Sequence, residues 1–217
     1  MPSMTIDPFY VVVGLLILSL APFAALMVTS YVKLSIVLSL VRNALGIQQI
    51  PPNMVINGLA LILSIYIMAP VGMEMFDIIS DSFQANKDFE TIVRGAGKAR
   101  EPLRQFLLKH SEKKERLFFA QSAKKLWNNE TAKKMKDNDL MVLVPSFTVH
   151  ELTSAFKTGF LIYLPFIIID LIVSNILLAM GMMMLSPMTI SLPFKLLLFV
   201  LTDGWTKLIH ALVLSYA

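Results

Sequence analysis

Charged side chains inside apolar segments are the residues of this sequence best suited to chemistry. Lys33, Asp170, Lys195, Asp203 and Lys207 lie in or beside long apolar runs. An unpaired charge at membrane depth costs at least about 2.5 kcal/mol, so each should face water or a partner. Asp170, in "PFIIIDLIVSN", could relay protons or ions, or it could form a salt bridge between helices or subunits. No second carboxylate lies near it in the sequence, which favours the salt bridge.

Spacing suggests partners for some of these charges. Asp203 and Lys207 stand four residues apart, where a helix brings side chains together, so a local pair is expected. Lys195 and Asp170 are left for partners on other helices or subunits. Lys33 lies close enough to a predicted helix end for its ammonium group to reach the membrane–water interface.

Enzyme and metal chemistry have little support in this sequence. The three histidines are far apart, and the chain contains no cysteine, so neither a metal site nor a thiol nucleophile is predicted. Phosphate-binding loops, HExxH and Ser/His/Asp patterns are also missing. We therefore expect no catalytic residue, no cofactor and no enzymatic activity.

A run of methionines forms the second candidate site. The stretch "AMGMMMLSP" places four of them in five positions: Met180, Met182, Met183 and Met184. At 100° per residue they would point around most of a helix, and Gly181 and Pro187 predict that the helix ends here. Packing or lipid contact is the plain interpretation. The sharper one is a deformable collar at a pore constriction, which requires several copies of the chain.

The elements that position these residues are apolar and long. The 217 residues are 56% hydrophobic and 16% charged, with a mean hydropathy of +0.68, values typical of a polytopic membrane protein. Four stretches, about 9–41, 55–79, 158–185 and 192–217, are long enough to cross a bilayer. Each contains a proline, and we expect helix breaks or hinges at these positions: Pro22, Pro70, Pro165 and Pro193. Such breaks imply packing against protein.

Charge predicts the topology and three domains. The turns after Arg42 and before Lys195 should face the cytoplasm, and a first segment without a basic leader should stay in the mature protein. Residues 1–79 form a helical hairpin, 80–157 a small helical periplasmic domain, and 158–217 a hairpin with the Met-rich loop. Segment 86–157 holds 15 Lys and Arg against 9 Asp and Glu, a balance that fits a loop domain better than nucleic-acid binding. A helix in it should include Pro102, and a capping box, Thr148 to Glu151, should begin another.

Two long blocks resemble a known family. "SYVKLSIVLSLVRNALGIQQIPPN" (30–53) and "AFKTGFLIYLPFIIIDLIVSNILLAMGMMMLSPMTISLPFKLLLFVLTDGW" (155–205) are similar to the SctR/FliP family, the major core export-apparatus protein of bacterial type III secretion systems. The match extends over nearly the whole chain. The "RNALGIQQIPPN" segment is more similar to the virulence, or injectisome, branch than to the flagellar one.

The resemblance implies a non-enzymatic subunit that assembles into a helical pore complex. It implies about five copies, joined by the S-type and T-type export proteins, the U-type switch protein and the large export-gate protein. Unfolded secreted proteins would pass through the centre, and the assembly would project from the inner membrane into the periplasm. The family's methionine gasket matches Met182, Met183 and Met184, with Met180 at its edge. An ion- or proton-coupled transporter using Asp170 is the alternative.

Overall fold

The computed structural model describes residues 8–47, 50–85, 95, 97–127 and 135–217, and the elements in these ranges are helical. The eight helices are α1 (Pro8–Met27), α2 (Tyr31–Ala44), α3 (Asn53–Ala85), α4 (Arg100–Lys109), α5 (Lys113–Leu126), α6 (Leu140–Ala179), α7 (Pro187–Leu201) and α8 (Gly204–Leu214). The described part therefore confirms the all-α class.

Helix α2 is the centre of the main core. Its buried positions recur every three or four residues, which is the spacing of one helix face: Leu34, Val37, Leu38, Val41 and Ala44. This face packs mainly against α6 and also against α3. Phe166 of α6, Phe199 of α7 and Leu212 of α8 complete the same cluster. The short helix α2 thus joins the long helices to the carboxyl-terminal part of the chain.

Two described helices are long and apolar enough to cross a membrane, Asn53–Ser82 within α3 and all of Leu140–Ala179. The pair α7 and α8 gives a third candidate if it is counted as one span, although its axes bend by 60° at the break between them. At 1.5 Å per residue, α6 is about 60 Å long, twice the thickness of a bilayer core. The described helices give two or three candidate spans, so the expected arrangement of four spans in two hairpins stays a prediction.

The prolines are not where the chain breaks. Pro22, Pro70, Pro165 and Pro193 all lie within continuous helices, so no helix ends at these residues, and a kink or hinge at them stays a prediction. The first apolar stretch does form two helices, but they part at residues 28–30. There the Thr29 hydroxyl donates to the Leu26 carbonyl at 3.3 Å, and the buried Ser30 hydroxyl donates to Ser64 at 3.2 Å. Side-chain hydrogen bonds of this kind compete with helix continuation.

The small helices α4 and α5 pack against the first third of α6. Pro102 lies in the first turn of α4, as predicted, and is buried. The predicted capping box is wrong, because α6 begins at Leu140 after Asp139 and passes through Thr148. The Thr148 hydroxyl donates to the Val144 carbonyl at 2.9 Å instead. One continuous helix therefore joins the small helical domain that contains α4 and α5 to the third apolar stretch.

Candidate functional site

The Met-rich loop is held at both ends by local backbone geometry. Helix α6 ends in a Schellman motif: Gly181 has φ +74°, its N–H donates to the Leu178 carbonyl at 3.0 Å, and the Met182 N–H donates to the Leu177 carbonyl at 2.9 Å. Six residues later Pro187 opens α7 at its first position, where a missing N–H costs nothing. The predicted end of the helix between Gly181 and Pro187 is confirmed.

The methionines of this loop are exposed. Met184 is fully exposed, Met183 is 80% exposed, and Met180 and Met182 are about half exposed. Met180 also lines a cavity of about 380 Å³ between α6 and α7, with walls formed by apolar side chains: Ile169, Ile172, Val173, Ile176, Leu177, Ile190 and Phe194. Thioether side chains repack around changing contours with little strain. The described chain thus presents a short apolar loop with nothing of its own packed over the tip.

A charged junction lies below the loop and ties three helices together. Lys195 of α7 forms an ion pair with Asp170 of α6, with Nζ 2.6 Å from Oδ2, and its ammonium also donates to the Ala44 carbonyl of α2 at 3.2 Å. The Ser191 hydroxyl donates to the other oxygen of Asp170 at 2.5 Å. The Lys195 side chain is 3% exposed and that of Asp170 33%.

The chemistry of this junction is that of a helix anchor. Ala44 is the last residue of α2, where carbonyls lack partners within the helix and the helix dipole favours a cation. Lys195 supplies that cation, and Asp170 balances its charge. Both carboxylate oxygens of Asp170 are occupied, one by an ammonium and one by a hydroxyl. This geometry favours the salt bridge over the proton relay, although the role of these residues stays a prediction.

A second polar cluster lies at the carboxyl terminus, and it is not predicted from the sequence. The Tyr216 hydroxyl donates to the buried carboxylate of Glu151 on α6. Lys33 of α2 donates to Ser215 at 2.9 Å, and its ammonium lies 4.6 Å from the centre of the Tyr216 ring. Lys33 is therefore buried within the chain. The expectation that its ammonium group reaches the membrane–water interface is wrong. A cation over an aromatic ring is an established stabilising contact.

His110, at the end of α4, packs against this cluster. Its ring centre lies 4.7 Å from that of Phe106 on α4 and 5.2 Å from that of Tyr216. Burial is the main cause that lowers the pKa of His110 to about 4, and the nearby charge of Lys109 lowers it further. The imidazole is therefore neutral at pH 7. Lys33 inside an apolar run was the available sequence signal, but it does not reveal that Tyr216, which contacts both Lys33 and Glu151, brings the cluster together.

The remaining predicted charges stand apart from both clusters. Asp203 lies in the turn between α7 and α8 with a left-handed φ of 51°. Its carbonyl accepts the backbone N–H of Lys207 at 3.0 Å, but no ion pair joins the two side chains in the ranges given above. Lys207 instead lines a cavity of about 690 Å³ between α6, α7 and α8. Groups of three or more metal-ligating side chains are absent from the residues that were placed.

These features define a helical, membrane-type protein with an exposed apolar loop and buried structural charges. The chain belongs to the FliP family, which it matches over residues 14–212. It is 53% identical over 210 residues to "Yop proteins translocation protein R" of Yersinia pestis, with 97% of each chain covered. It is 50% identical over 201 residues to "Hypersensitivity response secretion protein HrcR" of Ralstonia nicotianae, covering 92% of this chain and 93% of the relative.

A third relative matches nearly the whole chain. "Virulence protein YscR" of Salmonella typhimurium is 48% identical over 215 residues, covering 99% of this chain and all of the relative. Membership confirms the resemblance to the SctR/FliP export-apparatus proteins of type III secretion and to their injectisome branch. The relatives carry the names of secretion and translocation proteins, in agreement with the expected lack of enzymatic activity.

Proposed function

We propose that this chain is a subunit of the type III secretion export apparatus in the bacterial inner membrane, forming an oligomeric, protein-conducting portal. Full-length similarity to proteins named for translocation and secretion supports the role in export. The membrane-type helices support the location. About five copies, with the S-type, T-type and U-type proteins and the large export-gate protein, would form the assembly that passes unfolded secreted proteins.

Met182, Met183 and Met184 act in this proposal as a seal at the constriction, with Met180 at its edge. The observation that carries it is their exposure on a loop whose two ends are fixed. Burying an apolar side chain contributes about 0.8 kcal/mol of free energy per methylene group. This favours a role in which neighbouring copies cover these methionines. Rings of flexible apolar side chains close a pore by excluding water and still yield to a passing chain.

The test replaces Met182, Met183 and Met184 with alanine in the assembled complex. We expect the complex to form normally while the membrane becomes permeable to small solutes, because shorter side chains leave the constriction open. The measurement is the release of a small dye from vesicles containing purified complexes. Met54 and Met141 are also exposed methionines, at the starts of α3 and α6, so the double variant Met54→Ala/Met141→Ala is the matched control. Unchanged permeability of assembled triple-variant complexes would remove the seal from the proposal.

A further inference from the structure

Helix α5 presents a basic stripe with an apolar centre. Leu117 and Phe118 are exposed, Phe118 by 59%, and the stripe ends in Lys114 on one side and in Lys124 and Lys125 on the other. At 100° per residue these side chains share one face of the helix, and from Lys114 to Lys125 the stripe is about 16 Å long. The opposite face, with Ala120 and Ala123, is the one that packs inward.

Helix α3 presents an acidic stripe of the same design near its carboxyl end. Met73 and Phe76 are exposed, Phe76 by 70%, beside three exposed carboxylates: Glu74, Asp77 and Asp81. The three acids recur at positions i, i+3 and i+7 and lie on one face. Helix α3 contains no lysine or arginine, and no described side chain forms an ion pair with these carboxylates.

The two stripes do not meet within one chain. Helix α5 packs against α6, whereas α3 packs against α2 and α4, and α3 and α5 share no substantial contact in the described ranges. Within the described ranges, each stripe therefore leaves its apolar side chains exposed and its charges without an ion-pair partner. In the described part of the chain, a single copy thus carries both halves of a complementary contact without joining them.

We propose that the basic stripe of α5 in one copy docks on the acidic stripe of α3 in the next copy. This contact rests on the proposed oligomeric function and specifies how neighbouring subunits meet. Because the two surfaces are different, the interface is heterologous, and repeating it generates a ring or a helix rather than a closed dimer. Lysine and carboxylate rows then frame a buried centre of Leu117 and Phe118 against Met73 and Phe76, the usual arrangement of an apolar core with a charged rim.

Charge selects a second copy over a lipid surface as the occupant. Anionic headgroups would suit the lysines of α5, but they would repel the carboxylates of α3 and leave that stripe uncovered. A second copy covers both stripes with one contact. Opposite charges across an interface also fix its register and suppress wrong pairings.

The first test reverses charge on one stripe and then on the other. Lys114→Glu/Lys125→Glu should reduce the yield of assembled complexes by about tenfold or more, since like charges across an interface cost several kcal/mol. Adding Asp77→Lys/Asp81→Lys should restore assembly. Arg100→Glu/Lys109→Glu, at exposed positions of α4, is the matched control and should assemble normally. The measurement is the native mass of the complex purified from membranes.

The second test uses the lack of native cysteine. A chain carrying both Gln121→Cys, at an exposed position one turn after Leu117 and Phe118 on α5, and Met73→Cys should form disulfide-linked ladders longer than two copies under mild oxidation. The control pair, Gln105→Cys with Met73→Cys, places the first thiol on α4 and should give none. Ladders support the proposal even where the charge variants fail to fold.

The outcomes separate the contact from the function on which it rests. Complexes of normal mass without ladders, or a charge reversal that assembles normally, would overturn the contact and leave the oligomeric portal standing. A wild-type protein that purifies as a single copy would overturn both. A loss of assembly that the second reversal does not restore, together with an absence of ladders, would assign the lysines to lipid or another protein and also overturn the contact.

Discussion

Replacing Asp170 with asparagine tests whether the charged junction is structural. Asparagine keeps the size of the side chain and an oxygen for the Ser191 hydroxyl, but it removes the charge that balances Lys195. The ammonium would then be left buried with the Ala44 carbonyl as its remaining partner. Removing one member of a buried ion pair costs about 3 to 5 kcal/mol.

The magnitude must be discounted for solvent at Asp170. Its side chain is 33% exposed, so water partly replaces the lost carboxylate, and we expect a cost of about 2 to 3 kcal/mol. For a chain of this length 1 kcal/mol corresponds to roughly 2 to 4 °C in Tm, so the melting temperature should fall by about 5 to 10 °C. The assay is thermal unfolding of the purified protein, followed by circular dichroism.

Two further variants make the prediction specific. Asp170→Asn/Lys195→Met removes both charges and should recover most of the lost stability, because no unpaired charge remains. The exchange Asp170→Lys/Lys195→Asp should not recover it, since the new carboxylate would face the Ala44 carbonyl at the negative end of the α2 dipole. A simple pair without a helix anchor would tolerate the exchange.

The reasoning is refuted if Asp170→Asn melts within about 1 °C of the wild type. A proton relay makes the opposite prediction to an anchor, because it requires Asp170→Asn to abolish transport while stability and assembly stay intact. Stability, assembly and secretion measured on the same variant therefore distinguish the two roles of Asp170.

Two other predictions concern packing and pH. A methyl group at Gly159 would lie 2.3 Å from Leu40 Cδ1, so Gly159→Ala should push α2 from α6 and cost about 1 to 3 kcal/mol in chemical denaturation; Gly58→Ala, with open space around it, should be neutral or slightly stabilising. The pKa of His110 is about 4 in the folded protein against 6.5 for the free side chain. Its contribution to the free energy of unfolding is therefore fully present above pH 6.5 and is lost as the pH falls towards 4. After a discount for partial exposure the loss is about 1 kcal/mol, and it should disappear in His110→Phe, as unfolding curves at pH 7 and pH 5 would show; an equal loss in both proteins would contradict it.

Features encoded locally could be predicted from the sequence, and long-range partners could not. The end of α6 was readable because Gly181 and Pro187 have strong conformational preferences of their own. The break at residues 28–30 was not, and one of the two hydrogen bonds found there joins Ser30 to Ser64 of another helix. Glu151 had the spacing of a helix cap, but its partner is Tyr216, 65 residues further along the chain. The prolines show the same division, because a proline within an apolar run does not by itself decide whether the helix ends there.

The candidate site followed the same division. The four methionines were accessible from residue type and apolar context, and so was the need of Asp170 and Lys195 for partners on other helices or subunits; that they pair with each other was not. The third member of the junction, the Ala44 carbonyl, was not, because backbone groups carry no sequence signal. The buried position of Lys33 was missed for a related reason: its Ser215 and Tyr216 partners lie at the far end of the chain.

The loop and the junction are mechanically related by their separation along α6 and α7. Asp170 lies nine residues before the end of α6 and Lys195 eight residues after the start of α7, which places the ion pair about 12 to 14 Å along the helices from the loop. A cross-link at that depth fixes the two helices that carry the methionines and anchors them to α2. A seal around a changing cross-section needs mobile side chains on a base that does not spread. For the proposed portal and its methionine seal, Asp170→Asn should therefore increase dye leakage even though all methionines are intact, whereas Asp170→Asn/Lys195→Met should leak less.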